Sequence, residues 1–118
     1  MQEEIKRRTK QIGIEIIRLI DTLPNKPATW VISKQIVRSA TSIGANYRAS
    51  CRAKSTLDFV NKLKIVEEET DETLFWLEIL EDSSIIHSDN IKNIKKELNE
   101  ILAIIVASIN TMREKVNP

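Results

Sequence analysis

Apolar positions recur at steps of three and four along almost the whole chain. Ile5, Thr9, Ile12, Ile16, Leu19 and Leu23 form a first stripe with the period of one face of an amphipathic helix. Pro24 and Pro27 end it, because proline lacks the N–H that a helix interior needs and restricts the residue before it. Thr29 is the expected N-cap of a second helix, whose inner face carries Ile36, Ala40, Ile43, Tyr47 and Cys51. This segment is rich in small residues, and a glycine inside a helix costs about 1 kcal/mol relative to alanine. Gly44 therefore predicts close approach of a neighbouring backbone. Ser55-Thr56-Leu57-Asp58 fits a capping box opening a third helix, striped by Phe59, Leu63, Val66, Thr70, Leu74, Leu77 and Leu80. After a loop from Ser83 to Asp89, a fourth helix repeats the pattern through Ile91, Ile94, Leu98, Ile101, Ile105, Ser108 and Met112.

Connections this short join antiparallel neighbours. The expected fold is all-α: an antiparallel up-down-up-down four-helix bundle, formed as a single domain over residues 1–118. Two Gly and three Pro leave little material for the turns of an all-β chain, and 118 residues suit one ordinary domain rather than two.

One stretch exceeds what a lone bundle requires. Ile101-Leu-Ala-Ile-Ile-Val-Ala-Ser-Ile109 is apolar around nearly its full circumference, and a helix apolar on all sides is normally buried on all sides. Ile101, Ile104, Ile105 and Ile109 are accordingly candidate contacts with another copy of the chain; the alternative is an incompletely covered surface strip.

The formal net charge of +1 hides a segregation. From Trp30 to Lys64 there are seven bases and one acid, Asp58, whereas Ile65 to Asp82 holds eight acids and no base. Antiparallel pairing of the second and third helices sets Arg38 opposite the region of Glu67 to Asp71. Arg48, Arg52, Lys54, Lys62 and Lys64 then gather about the connection between those helices, giving a basic end and a candidate nucleic-acid-binding surface. Asn46, Glu69 and Glu72 border an apolar stripe of Ile65, Trp76 and Ile79; they read either as a polar network or as an ordinary solvated face.

Catalytic chemistry finds little material. His87 is the only histidine and lies in a polar loop, no Glu-x-x-His pair of a di-iron bundle is present, and one Cys with one His cannot build a zinc site. Neither glycine belongs to a phosphate-cradling loop. No enzyme activity, catalytic residue, metal or cofactor is expected. Cys51 has no partner for an internal disulfide, which makes a reducing cytoplasm the default compartment. The N-terminus MQEEIKRRTK lacks the apolar core of a signal peptide, and the longest apolar run, Ile101 to Ala107, is far short of the roughly 20 residues of a membrane helix.

The residues Arg38-Ser39, Thr41-Ser-Ile-Gly-Ala-Asn-Tyr-Arg48, Arg52-Ala-Lys-Ser55, Asp58-Phe59 and Trp76-Leu-Glu78 resemble the bacterial four-helix bundle family, also called the 23S ribosomal RNA intervening-sequence proteins. The resemblance extends over nearly the whole chain and is densest from Ile36 to Leu80. It implies a helical bundle that assembles into a ring, typically a pentamer, without established enzymatic activity. Some genes of the family lie within insertions in ribosomal RNA genes. Distantly similar proteins serve diversity-generating retroelements, where they bind nucleic acid and a reverse transcriptase; those are strongly basic, and this chain departs from that pattern.

Two functional expectations result. In the first, a ring of copies aligns the basic ends into a collar that holds RNA or DNA backbone without reading bases, since Tyr47 is the only aromatic nearby that could stack. In the second, the same charges join subunits or another protein, and the assembly is a scaffold.

Overall fold

The computed structural model describes residues 1–117. Among them the chain forms four helices and no strand: α1 (Gln2–Ile20), α2 (Pro27–Ser50), α3 (Thr56–Asp82) and α4 (Ser88–Val116). They build a body of 50 × 22 × 20 Å. α1 packs on α2 and α4, and α3 packs on α2 and α4, while among the described residues no Cα of α1 comes within 8 Å of one in α3, nor any of α2 of one in α4. The neighbours thus close a circuit in chain order.

Each sequence stripe becomes one wall of a common core. Ile12, Ile16, Ile36, Ile43, Leu63, Leu77, Leu98 and Ile101 are wholly shielded from water, each such side chain contributing about 1.5–3 kcal/mol by burial. Thr9 and Thr70 sit within these stripes without harm, because their hydroxyls donate to Ile5 O at 2.8 Å and Val66 O at 2.7 Å. Stripe ends are looser: Leu23, Cys51, Phe59 and Met112 are only half-buried. On α4 it is Ile109, not Ser108, that continues the inner line.

The helix ends correct three expectations. α2 begins at Pro27, two residues before Thr29, because a proline at the first helical position gives up an N–H that would have no partner there. Thr29 therefore lies inside the helix, and its buried hydroxyl has no hydrogen-bond partner among the described residues. Ser55 does cap α3, accepting from the Asp58 amide at 3.0 Å, yet the Asp58 carboxylate reaches back to the Lys54 amide at 3.2 Å rather than to the cap residue itself. His87, expected as a plain loop residue, is the N-cap of α4, its Nδ1 accepting from the Asp89 amide at 3.2 Å.

Ser84 follows α3 with φ of 61°, the left-handed conformation usually given to glycine. Ile85 N donates to Leu80 O and Ser84 N to Glu81 O, both at 3.0 Å, which is the Schellman pattern that closes a helix end. The turn delivers Ile86 into the core.

Gly44 has the reason its position implied. A Cβ there would stand 3.2 Å from Lys10 N and 3.3 Å from Thr9 C and O, so α2 lies directly on the α1 backbone. At Gly13, facing Thr41, a Cβ would meet ordinary contacts of 3.4 Å and beyond.

Candidate functional site

The five candidate bases are not gathered equally. Arg48, Arg52 and Lys54 are exposed over the last turn of α2 and the connection to α3, and Lys62 and Lys64 are half-exposed further along α3. None of the five makes an ion pair among the described residues. Helical spacing separates the last two. Lys62 stands one turn after Asp58, whereas Lys64 stands one turn before Glu68 and two before Asp71, on the acidic stretch of the helix.

Arg48 looks instead toward α1. It lines a groove of about 620 Å³ between α1 and α2 together with Lys6, Arg7 and Lys10. The floor is made by Gly13, Ile14, Ile17, Gly44 and Ala45. Its depth follows from the close helix contact: glycines leave no side chains to fill the valley. Glu3 is the one acid on its rim, held by Lys6 at 3.1 Å. The sequence signal for these α1 bases is the run Lys6-Arg7-Arg8-Thr9-Lys10, which Glu3, Glu4 and Glu15 on the same helix mask in any net charge.

Glu69 and Glu72 do meet a polar partner across helices, but it is Arg38. Its guanidinium donates to Glu69 at 3.0 Å and also to Glu72. Trp76 Nε1 donates to Glu72 at 3.1 Å, and that hydrogen bond, followed by those from Arg38, holds the Glu72 carboxyl below its ordinary range. Asn46 does not join them. Its amide donates to Ser42 O at 2.9 Å and Ser42 Oγ at 2.8 Å, one turn back on its own helix. The intrahelical acceptor satisfies it locally, so the three-membered network is corrected to Arg38, Glu69, Glu72 and Trp76. Phe75 packs edge-on against Trp76 at 5.1 Å and stays half exposed.

On α4 the candidate contact residues divide. Ile101, Ile105 and Ile109 are buried in the core of their own chain, so they offer no surface to another copy. Ile104 is half-buried against that core. The outermost line belongs to Ala103 and Ala107, flanked by half-buried Leu102 and Val106. Small side chains on the outside are how a segment apolar all round sits at a bundle surface. Beside Leu102 and Val106, the α3 carboxylates of Glu67, Glu68 and Asp71 line a shallow cleft.

No group of three or more His, Cys, Asp or Glu side chains that could hold a metal occurs among the described residues. Tyr47 is core, which makes it unavailable for stacking, and burial followed by the nearby Cys51 pushes its phenol up to about 12. Cys51 is half-buried and unbridged. None of the described helices is long and apolar enough to cross a membrane.

Comparison with known proteins gives a consistent result. Residues 1–107 match the family model described as 23S rRNA-intervening sequence protein. Among solved structures, the chain is similar to a protein of unknown function from the S23 ribosomal protein family of Bacteroides thetaiotaomicron. The two share 36% identity over 92% of this chain and 97% of that one, with a TM-score of 0.85. No curated protein matches.

Proposed function

The chain belongs to the 23S rRNA-intervening sequence protein family, and on that footing we propose that it is a non-enzymatic, self-assembling up-down-up-down bundle that holds nucleic-acid backbone at one end. The observation carrying this reading is the set of exposed cations at the α2–α3 connection. Arg52 and Lys54 are exposed at the connection itself, Arg48 stands one turn back at the mouth of the α1–α2 groove, and none of the three has an ion-pair partner among the described residues. The acids that balance the net charge lie further along α3, and two of them are already engaged by Arg38. A ring of copies, five by the family resemblance, multiplies a modest patch into a collar suited to phosphates. With Tyr47 buried and Phe59 half-buried against the core, that end carries no fully exposed aromatic to read bases, and binding is indifferent to sequence.

Filter binding of the wild type to short RNA and DNA duplexes across a salt series tests the reading. Affinity should fall steeply, with a log–log slope near −0.9 per duplex-DNA phosphate contact. The double substitution Arg52→Glu, Lys54→Glu should abolish binding without changing the sedimentation of the protein. If the wild type does not bind at low salt, the scaffold reading, favoured by the net charge of +1, replaces this one.

A further inference from the structure

We infer that successive copies dock head to tail, the basic α1–α2 groove of one receiving the acidic α3–α4 shoulder of the next. This rests on the self-assembly in the reading above and assigns the faces that make it. The groove offers an apolar floor with Ile17, 44% exposed, beneath the cations Lys6, Arg7, Lys10 and Arg48. The shoulder offers the complement: Leu102 and Val106 beside Glu67, Glu68 and Asp71. None of those three acids is ion-paired among the described residues. Each face thus leaves apolar surface uncovered and charge of one sign unanswered, on the groove that of Arg7, Lys10 and Arg48, since Lys6 is held by Glu3, and the answer to each is on the same chain.

Position decides the symmetry. The helices neighbour one another in the circuit α1–α2–α3–α4, so the α1–α2 side and the α3–α4 side look away from each other. A two-fold dimer through either face would set like charges against like. Contact between unlike faces leaves a free groove at one end of every pair and a free shoulder at the other, so addition continues until the rotation closes a ring. Docking along these long sides keeps the α2–α3 connection, with Arg52 and Lys54, on a rim. Lys64 is the base on the shoulder's own helix face, and it tempers the acidic charge without cancelling it. Phe75, 49% exposed, stands one turn after Asp71 and adds apolar surface to the shoulder, whereas the exposed Ile65 lies one turn before Glu69, on the side of α3 where Arg38 of α2 already answers Glu69 and Glu72.

The test is sedimentation velocity on the full chain with two double variants, Arg7→Glu with Lys10→Glu and Glu68→Lys with Asp71→Lys, and the quadruple variant combining them. All four substituted positions are exposed, and circular dichroism checks the fold. Each double variant should raise the concentration for half-assembly by at least about tenfold, and the quadruple variant, with the charges exchanged, should assemble again. A wild type that is monomeric at micromolar concentration overturns self-assembly itself. A wild-type oligomer whose double variants assemble unchanged, or whose quadruple variant is not restored, overturns only the face assignment; dissociation by Ile65→Asp in that case moves the contact to the α2–α3 side.

Discussion

α1 meets its two neighbours through seams of opposite construction. Against α2 it presents backbone: a methyl group at Gly44 would press on Thr9 and Lys10 at 3.2–3.3 Å, so the two backbones would have to part by a few tenths of an ångström, and the seam is long. Against α4 the contact is thinner, and its outer edge is tied by ions. Arg8 donates from Nε to Glu97 at 2.8 Å, again from its terminal nitrogen to the other Glu97 oxygen, and at 2.8 Å to Glu100. The first seam is specified by shape, most tightly at Gly44. The second is specified by charge, with side chains that can move and water close by. Stability of the first should therefore be sensitive to volume, and stability of the second to pH and salt.

The strongest way to break this contrast is volume at Gly44. Gly44→Leu should cost about 3 kcal/mol, since overpacking against backbone cannot be relieved by a rotamer change. Gly44→Ala should still destabilise, while Gly13→Ala, with ordinary contacts waiting for its Cβ, should stabilise by about 0.5–1 kcal/mol through helix propensity. Urea unfolding of the three variants would read this order; equal effects at the two glycines would refute it.

A smaller effect is expected at the ionic seam. Arg8→Met should cost about 1 kcal/mol, less than a buried pair because Glu97 and Glu100 are partly in water. The Arg8 hydrogen bond holds the Glu97 carboxyl below its ordinary value against the opposing effect of burial. A carboxyl whose folded pKa is depressed contributes stability above its unfolded pKa, about 4.3 for Glu, and loses it as pH falls through the lower folded value. Wild-type stability should accordingly drop on acidification below about pH 4.3, and Arg8→Met should flatten that part of the profile. Parallel curves for the two proteins would remove the ionic account of this seam.

Asn46→Ala should have the least effect. Its amide is satisfied one turn back on its own helix, and alanine is the better helix former. A change within about 0.5 kcal/mol is expected; a loss of 1–3 kcal/mol would mean that a partner across the helices had been left unsatisfied.

The periodic stripes were legible because burial imposes a period of 3.6 on any helix with one dry face, whatever its neighbours are. Gly44 was legible for a related reason: an uncompensated glycine in a helix implies that something presses on it. The capping serine could also be read, because its partner is three residues away. The polar assignments were not legible to the same depth. Glu69 and Glu72 share a face with Asn46 only in a projection of single helices, and whether an amide turns across the gap or back along its own helix depends on which acceptor is nearer in space. Nor did the run Ile101–Ile109 declare its outer face, since Ala103 and Ala107 count as apolar in a sequence but cover little area on a surface. By itself, then, the sequence determined the helices, their inner faces and their tight contact, all of which follow from local spacing and side-chain volume. The antiparallel pairing already set Arg38 opposite the stretch that contains Glu69; only the tertiary structure decided that it takes Glu72 as well, that Arg48 joins the α1 bases around a groove, and that the acids of α3 stand beside Leu102 and Val106. Those outcomes depend on which residues of different helices come within a few ångströms, and no period along one chain encodes that.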